Sequence, residues 1–372
     1  MEHIFTLDKH LQYPDISVQS YLRSKTLELA EDLEVKELVY LDTKFWLILR
    51  DVTLGNRRCP MSVALYERCF ELKRNGICVF PVSQDVILEV MKQSDETTRV
   101  ATAKVIDTLS DGVCLISLRE RVGLEALQFI ADKTGVDVYP VERLVWTKIV
   151  YALGFVSSKP DLDTAYNLAI QKAFIDQMWT ATLTDMVKMI GFDEKTAELL
   201  KVDIADSQNE GKFKYANQNN SFRQMFQSEL AGFLDVWEPE LKLVMPRLYF
   251  LKTGVFPNEE QVEACETPSS VSKMIYNLFR LQKITNELPT FRIVSGLHAA
   301  ARWDTKRNYE NNDFYDFQHA ACALPYTDYF FTEAHLKHAI TQGMTGYDSL
   351  YCCTVVAKVS EALKCLEDIS KD

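Results

Sequence analysis

The chain is short of the residues that make turns. Its 13 glycines and 11 prolines are about 6% of 372 residues, half the usual share of roughly 12%. Few turns and long elements follow, so the expectation is a helix-rich protein. Positive charge is also in deficit: 41 Lys and Arg stand against 53 Asp and Glu, a net charge of −12. A simple basic domain that holds nucleic acid by neutralising phosphates needs the opposite balance. An enzyme that gathers its own carboxylates around metal ions does not.

Other signatures are missing too. The nine cysteines are an odd count without a C-x-x-C pair, which reads as reduced, packed thiols of a cytosolic protein rather than a disulfide framework. Only six histidines are present, and none sits at zinc-ligand spacing with a cysteine pair. No apolar run approaches the roughly 18 residues of a membrane span. The segment Met1 to Phe5 lacks the basic region and apolar stretch of a signal peptide. A cytoplasmic location and no membrane partner are the resulting expectations. Gly123 and Gly135 stand alone, so there is no glycine-rich phosphate loop. Ser-His-Asp and Cys-His nucleophile signatures are absent as well.

What is present is an alternation of apolar runs and amphipathic stretches. An apolar, β-rich run at 38–41 ends in Asp42 and leads into a helix at 43–49. A helix is expected over 62–74, with Ser62 as its cap and Gly76 as its left-handed stop. A strand at 77–81, a helix that Ser83 caps through 91 and a strand at 113–117 complete a pattern that calls for a parallel sheet with crossover helices. From 121 to 290 helical periodicity dominates, over 142–153, 163–178, 183–190, 223–236 and 270–285, and strand candidates are scarce. The polar stretch 203–221 reads as a loop. Helices at 291–303 and 313–324, a strand at 328–332, a helix from His335, a strand at 351–356 and a helix from Ser360 restore the α/β pattern. The expected architecture is an α/β fold whose parallel sheet, flanked by helices, is split by an all-helical insertion. Residues 1–35 form an N-terminal helical extension. The α/β domain occupies 36–120 and 291–372, and the insertion 121–290.

Acids sit at the expected strand ends, where open α/β sheets bind ligands. Asp42 ends the first strand, and Glu89 lies about two helical turns beyond the second. Asp313 and Asp316 share a face at a helix start, and Glu333 follows Thr332 at the end of a late strand. Taken singly, each acid also fits a bland role: a helix cap for Asp42 and Asp313, a first-turn acid for Asp316 and Glu333, a solvated surface residue for Glu89. Together they point to one rim. Clustered carboxylates repel unless a cation compensates them. Oxygen ligands favour Mg²⁺ or Mn²⁺, ions that serve phosphodiester hydrolysis.

At these residues the chain resembles the PIN-like nuclease superfamily. The segments that carry the resemblance are Val39 to Phe45, Phe80 to Ser83 leading to Glu89, and Asn312 to Leu324 continuing through Thr332 and Glu333. The resemblance implies a parallel sheet flanked by helices and metal-dependent endonucleolytic cleavage of single-stranded RNA. It implies Asp42, Glu89 and Asp316 as metal ligands, Asp313 as an added ligand, and Glu333 near the position of a fourth acid. Thr43, Ser83 and Thr332 would orient ligands, with His319 supporting them one turn after Asp316. An inactive scaffold of the same kind, binding RNA or protein, is the alternative. The insertion leaves room for a lid, a substrate channel or a homo-oligomer surface, and PIN toxins offer the precedent of a regulatory protein partner. Arg302, Lys306 and Arg307 are the candidates for contact with RNA phosphates. Lys212 to Tyr215 and Phe222-Arg223 interleave basic and aromatic residues as a single-strand clamp does, although a polar loop with incidental aromatics is the preferred reading.

Overall fold

A computed structural model describes residues 5–154, 164–191, 205–214, 220–257 and 270–369. Six short strands organise it: β1 (Glu37–Leu41), β2 (Cys78–Val79), β3 (Val113–Leu115), β4 (Trp146–Lys148), β5 (Tyr329–Phe331) and β6 (Thr354–Val356). The fold is mixed α/β. Four strands form a parallel sheet in the order β2-β1-β5-β6. Val39, Tyr40, Leu41, Phe330 and Phe331 in its centre are 0–1% exposed, as expected for a parallel sheet covered on both faces.

The helices that matter for the site are α1 (Thr43–Thr53), α2 (Gln84–Met91), α3 (Glu96–Ser110), α4 (Leu118–Thr134), α5 (Phe222–Val236), α6 (Pro289–Trp303), α7 (Asp313–Tyr326) and α8 (Ala334–Thr341). Local chemistry fixes their ends. Asp42 accepts the Phe45 N–H to cap α1, and Ser83 accepts the Asp85 N–H to cap α2. Ser117 and Glu120 form a reciprocal capping box on α4. The helix expected at 62–74 runs Pro60–Arg74 and is preceded by Cys59. Ser62 is not its cap: proline starts the helix two residues earlier, and the Ser62 hydroxyl accepts from Arg57 Nε at 2.9 Å.

Three expectations need correction. Strand β3 lies outside the four-stranded sheet. It pairs antiparallel with β4 and touches the β2 side through a parallel bridge between Val82 and Cys114. The 142–153 stretch is not one helix, because its centre is β4; the 121–290 segment is therefore not all helical. The described part of 203–221 contains a helix, Ala205–Lys214. Lys212 anchors it, donating from a buried position to the carbonyls of Ala301 at 2.8 Å, Asp304 at 2.5 Å and Arg307. That burial takes Lys212 out of any single-strand clamp, while residues 203–204 and 215–219 lie outside the described residues.

The main core packs both faces of the sheet and extends under β3, β4 and the helix Leu183–Ile190. A second core, with Val122, Phe129, Leu230, Ile275 and Phe291, joins α4, α5, the helix Ser270–Arg280 and the start of α6. The eight described cysteines are free thiols. No helix among the described residues is long and apolar enough to cross a membrane.

Candidate functional site

The strand order sets the location. From β1 the chain crosses to β2 on one side, while β5 and β6 extend the sheet on the other. The direction of winding changes between β1 and β5, the place where open α/β sheets form a ligand crevice. Asp42 leaves β1 at this point, and its N–H donates to the Phe331 carbonyl at the end of β5, 3.0 Å away. The Thr332 N–H in turn donates to Val356 at 2.9 Å. The segments after three adjacent strands are thus tied side by side.

A cavity of about 470 Å³ opens there. Of the residues expected from the sequence, Asp42, Thr43, Glu89, Asp316, His319 and Glu333 line it. Ser83 and Thr332 are buried behind it. Asp313 is 2% exposed and is held by an ion pair with Arg307 and by the Glu310 N–H at 2.9 Å.

A chain of hydrogen bonds runs through the wall. The Tyr40 hydroxyl lies 2.7 Å from Ser83 Oγ and 2.7 Å from His319 Nδ1. His319 Nε2 is 2.9 Å from Glu89 Oε2, the same oxygen that the Thr43 hydroxyl meets. Glu89 Oε1 has no partner among the described residues. Elsewhere in the lining His335 Nε2 is 2.8 Å from Asp316 Oδ2, and its Nδ1 is 3.4 Å from Glu333.

The electrostatics follow from burial and pairing. Burial pushes Asp42 up to about 7, against the pull of the His319 charge, and the nearby negative charge of Asp316 adds to the rise. Burial also opposes ionisation of Glu89, but the hydrogen bond and charge of His319 outweigh it and hold this carboxyl below its usual range. His319 is disfavoured as a cation by its burial, yet Glu89, Asp85 and Asp42 raise it to about 9. The hydrogen bond to Asp316 raises His335.

Two carboxylates and an imidazole come close together beside the crevice. Ligand atoms of Asp313, Asp316 and His335 lie within 4.8 Å of one another. Asp42 and Glu89 are not part of that trio, although they line the same crevice as Asp316 and His335. His335 was missed in the sequence because a histidine two residues after Glu333 carries no signal until α8 turns it toward α7. Lys44, Arg57 and Glu310 also line the cavity unannounced by any motif.

The expected phosphate contacts are elsewhere. Arg302 is paired with Glu229, and Arg307 with Asp313. Lys306 is exposed in the turn between α6 and α7. None of the three lines the crevice, because the turn after α6 is folded back onto Lys212.

Comparison with protein-family models, with curated proteins and with solved structures gave no match for the chain.

Proposed function

We propose that this crevice is the active site of a PIN-like, Mg²⁺- or Mn²⁺-dependent endoribonuclease that cleaves single-stranded RNA. The observation that carries the reading is the meeting of Asp42, Glu89 and Asp316 on one cavity at the carboxyl ends of parallel strands. Asp42, Glu89 and Asp316 would hold the ion, with Asp313 and His335 beside them. When bound, such an ion supplies Lewis acidity and eases deprotonation of water.

The chain's own residues do the rest. Thr43 and His319 fix Glu89 through one oxygen and leave the other for a ligand. Tyr40 holds the His319 ring from behind, so its position does not depend on solvent. Arg57 and Lys44 supply positive charge on the cavity wall where an RNA phosphate would lie. They take the role first given to Arg302, Lys306 and Arg307.

The test is cleavage of an unstructured RNA in Mn²⁺. Asp42→Asn abolishes cleavage and leaves the melting temperature unchanged or higher, because it removes a carboxylate that burial disfavours. Full activity in that variant overturns the assignment.

A second reading is favoured by one observation. Three of the expected acids already have a protein cation: His319 for Glu89, His335 for Asp316 and, outside the cavity lining, Arg307 for Asp313. An inactive scaffold that needs no metal would look like this. Absence of both Mn²⁺-induced thermal stabilisation and RNA cleavage selects the scaffold.

A further inference from the structure

Helix α7 has two working faces. Asp316 and His319 look into the acid crevice, whereas Phe314 and Gln318, four residues apart and so on one stripe, line a separate cavity of about 330 Å³. The second cavity is built between α5, α6 and α7. Phe233, Trp237 and Phe314 give it aromatic walls, and Val294 adds aliphatic surface. Its size is at the small end of ligand pockets, roughly 300–1,000 Å³.

Two polar groups in its lining have no partner. Ser295 is 1% exposed and Gln318 3% exposed, yet neither Ser295 Oγ nor Gln318 Oε1 makes a hydrogen bond. A buried polar atom left unsatisfied is destabilising, so both atoms mark places where a ligand's polar groups are wanted. Gln208 and Glu229 also line it, and the remaining polar group is His298. Burial, reinforced by the Arg302 charge, pushes it down to about 4, so the ring is neutral at physiological pH. Arg302 itself is engaged by Glu229. The cavity therefore offers no free cation for a phosphate. It offers flat apolar walls, neutral hydrogen-bonding groups and one carboxylate, Glu229, which is paired with Arg302.

We propose that this cavity is a binding site for an adenine base. Aromatic walls stack on a base face whatever its sequence. A glutamine amide reads adenine in particular: its oxygen accepts from the exocyclic N6 amine while its nitrogen donates to N7. Gln318 Oε1 is the unpaired acceptor this pairing requires, and the Ser295 hydroxyl can meet a further ring nitrogen. The site does not depend on the metal crevice. Its occupant is an adenine from a free nucleoside or from an RNA strand.

Calorimetric titration of the full chain with adenosine, uridine and a short oligoadenylate tests this. Adenosine or the oligoadenylate binds, and uridine binds at least tenfold more weakly. The oligoadenylate binding tighter identifies a strand base; adenosine binding alone identifies a free nucleoside. Gln318→Leu and Ser295→Ala each weaken adenine binding about tenfold and raise the melting temperature, because they remove unsatisfied buried polar atoms. Asp42→Asn leaves this binding unchanged, which separates it from the nuclease reading. No binding of either adenine ligand at millimolar concentration, equal binding of uridine, or a Gln318→Leu variant that melts lower yet binds adenosine normally overturns the proposal.

Discussion

Glu125 shows how one residue in this chain sets a pH dependence. It is 1% exposed, on α4, and accepts hydrogen bonds from the Thr290 N–H at 3.0 Å, the Thr290 hydroxyl and the Tyr326 hydroxyl. Burial outweighs those bonds and raises its carboxyl to about 7 from an ordinary 4.5. The folded state therefore holds this proton more tightly than the unfolded chain. The stabilisation is fully present below pH 4.5 and is lost as the pH rises to about 7, a difference of about 3 kcal/mol. Glu125→Gln removes the dependence. Its stability relative to the unmodified chain improves steadily between pH 4.5 and 7 in urea denaturation; parallel profiles would show that Glu125 does not titrate there. At this scale the crevice acids were legible in the sequence. An apolar run that stops at Asp42, or a helix that starts with Asp313 and Asp316, is a local pattern. Their partners were not legible. Glu89 meets His319 across 230 residues, and Asp316 meets His335 only because α7 and α8 flank the same strand.

Elements were read well where periodicity decided them and poorly where a tertiary contact did. The strand that ends at Asp42, the helix Ser83 caps and the helix that opens with Asp313 stand where the sequence placed them. Strand β4 was misread because Val145, Trp146, Ile149 and Val150 also fit a helical stripe; pairing with β3 overrides that spacing. The Ala205–Lys214 helix was misread because it is polar, and its stability comes from Lys212 reaching carbonyls at and beyond the end of α6. Lys212→Met leaves those carbonyls without their donor. We expect a loss of about 2 kcal/mol in chemical denaturation, together with loosening of the turn that carries Arg307. Gly296 is a point of close approach to α6. A Cβ there would stand 1.6 Å from the Tyr347 hydroxyl, which donates to the Arg292 carbonyl at 3.1 Å. Gly296→Ala lowers stability by about 1–3 kcal/mol, and combining it with Tyr347→Leu costs less than the sum of the two single changes.

For the whole molecule the net charge of −12 changes meaning once the fold is known. Part of that surplus is concentrated in one crevice, on Asp42, Glu89, Asp316 and Glu333, where a divalent ion would offset it. The basic side chains in the lining are Lys44, Arg57, His319 and His335, so under the proposed function contact with RNA would be local rather than spread over a basic surface. The central claim is that these carboxylates hold a metal ion. The most direct measurement is an anomalous difference map from crystals soaked in Mn²⁺. The account predicts a peak in the crevice contacted by Asp42, Glu89 and Asp316, and its loss in Asp42→Asn crystals. A fully soaked crystal with no anomalous peak in the crevice, or a peak unaffected by Asp42→Asn, would contradict it.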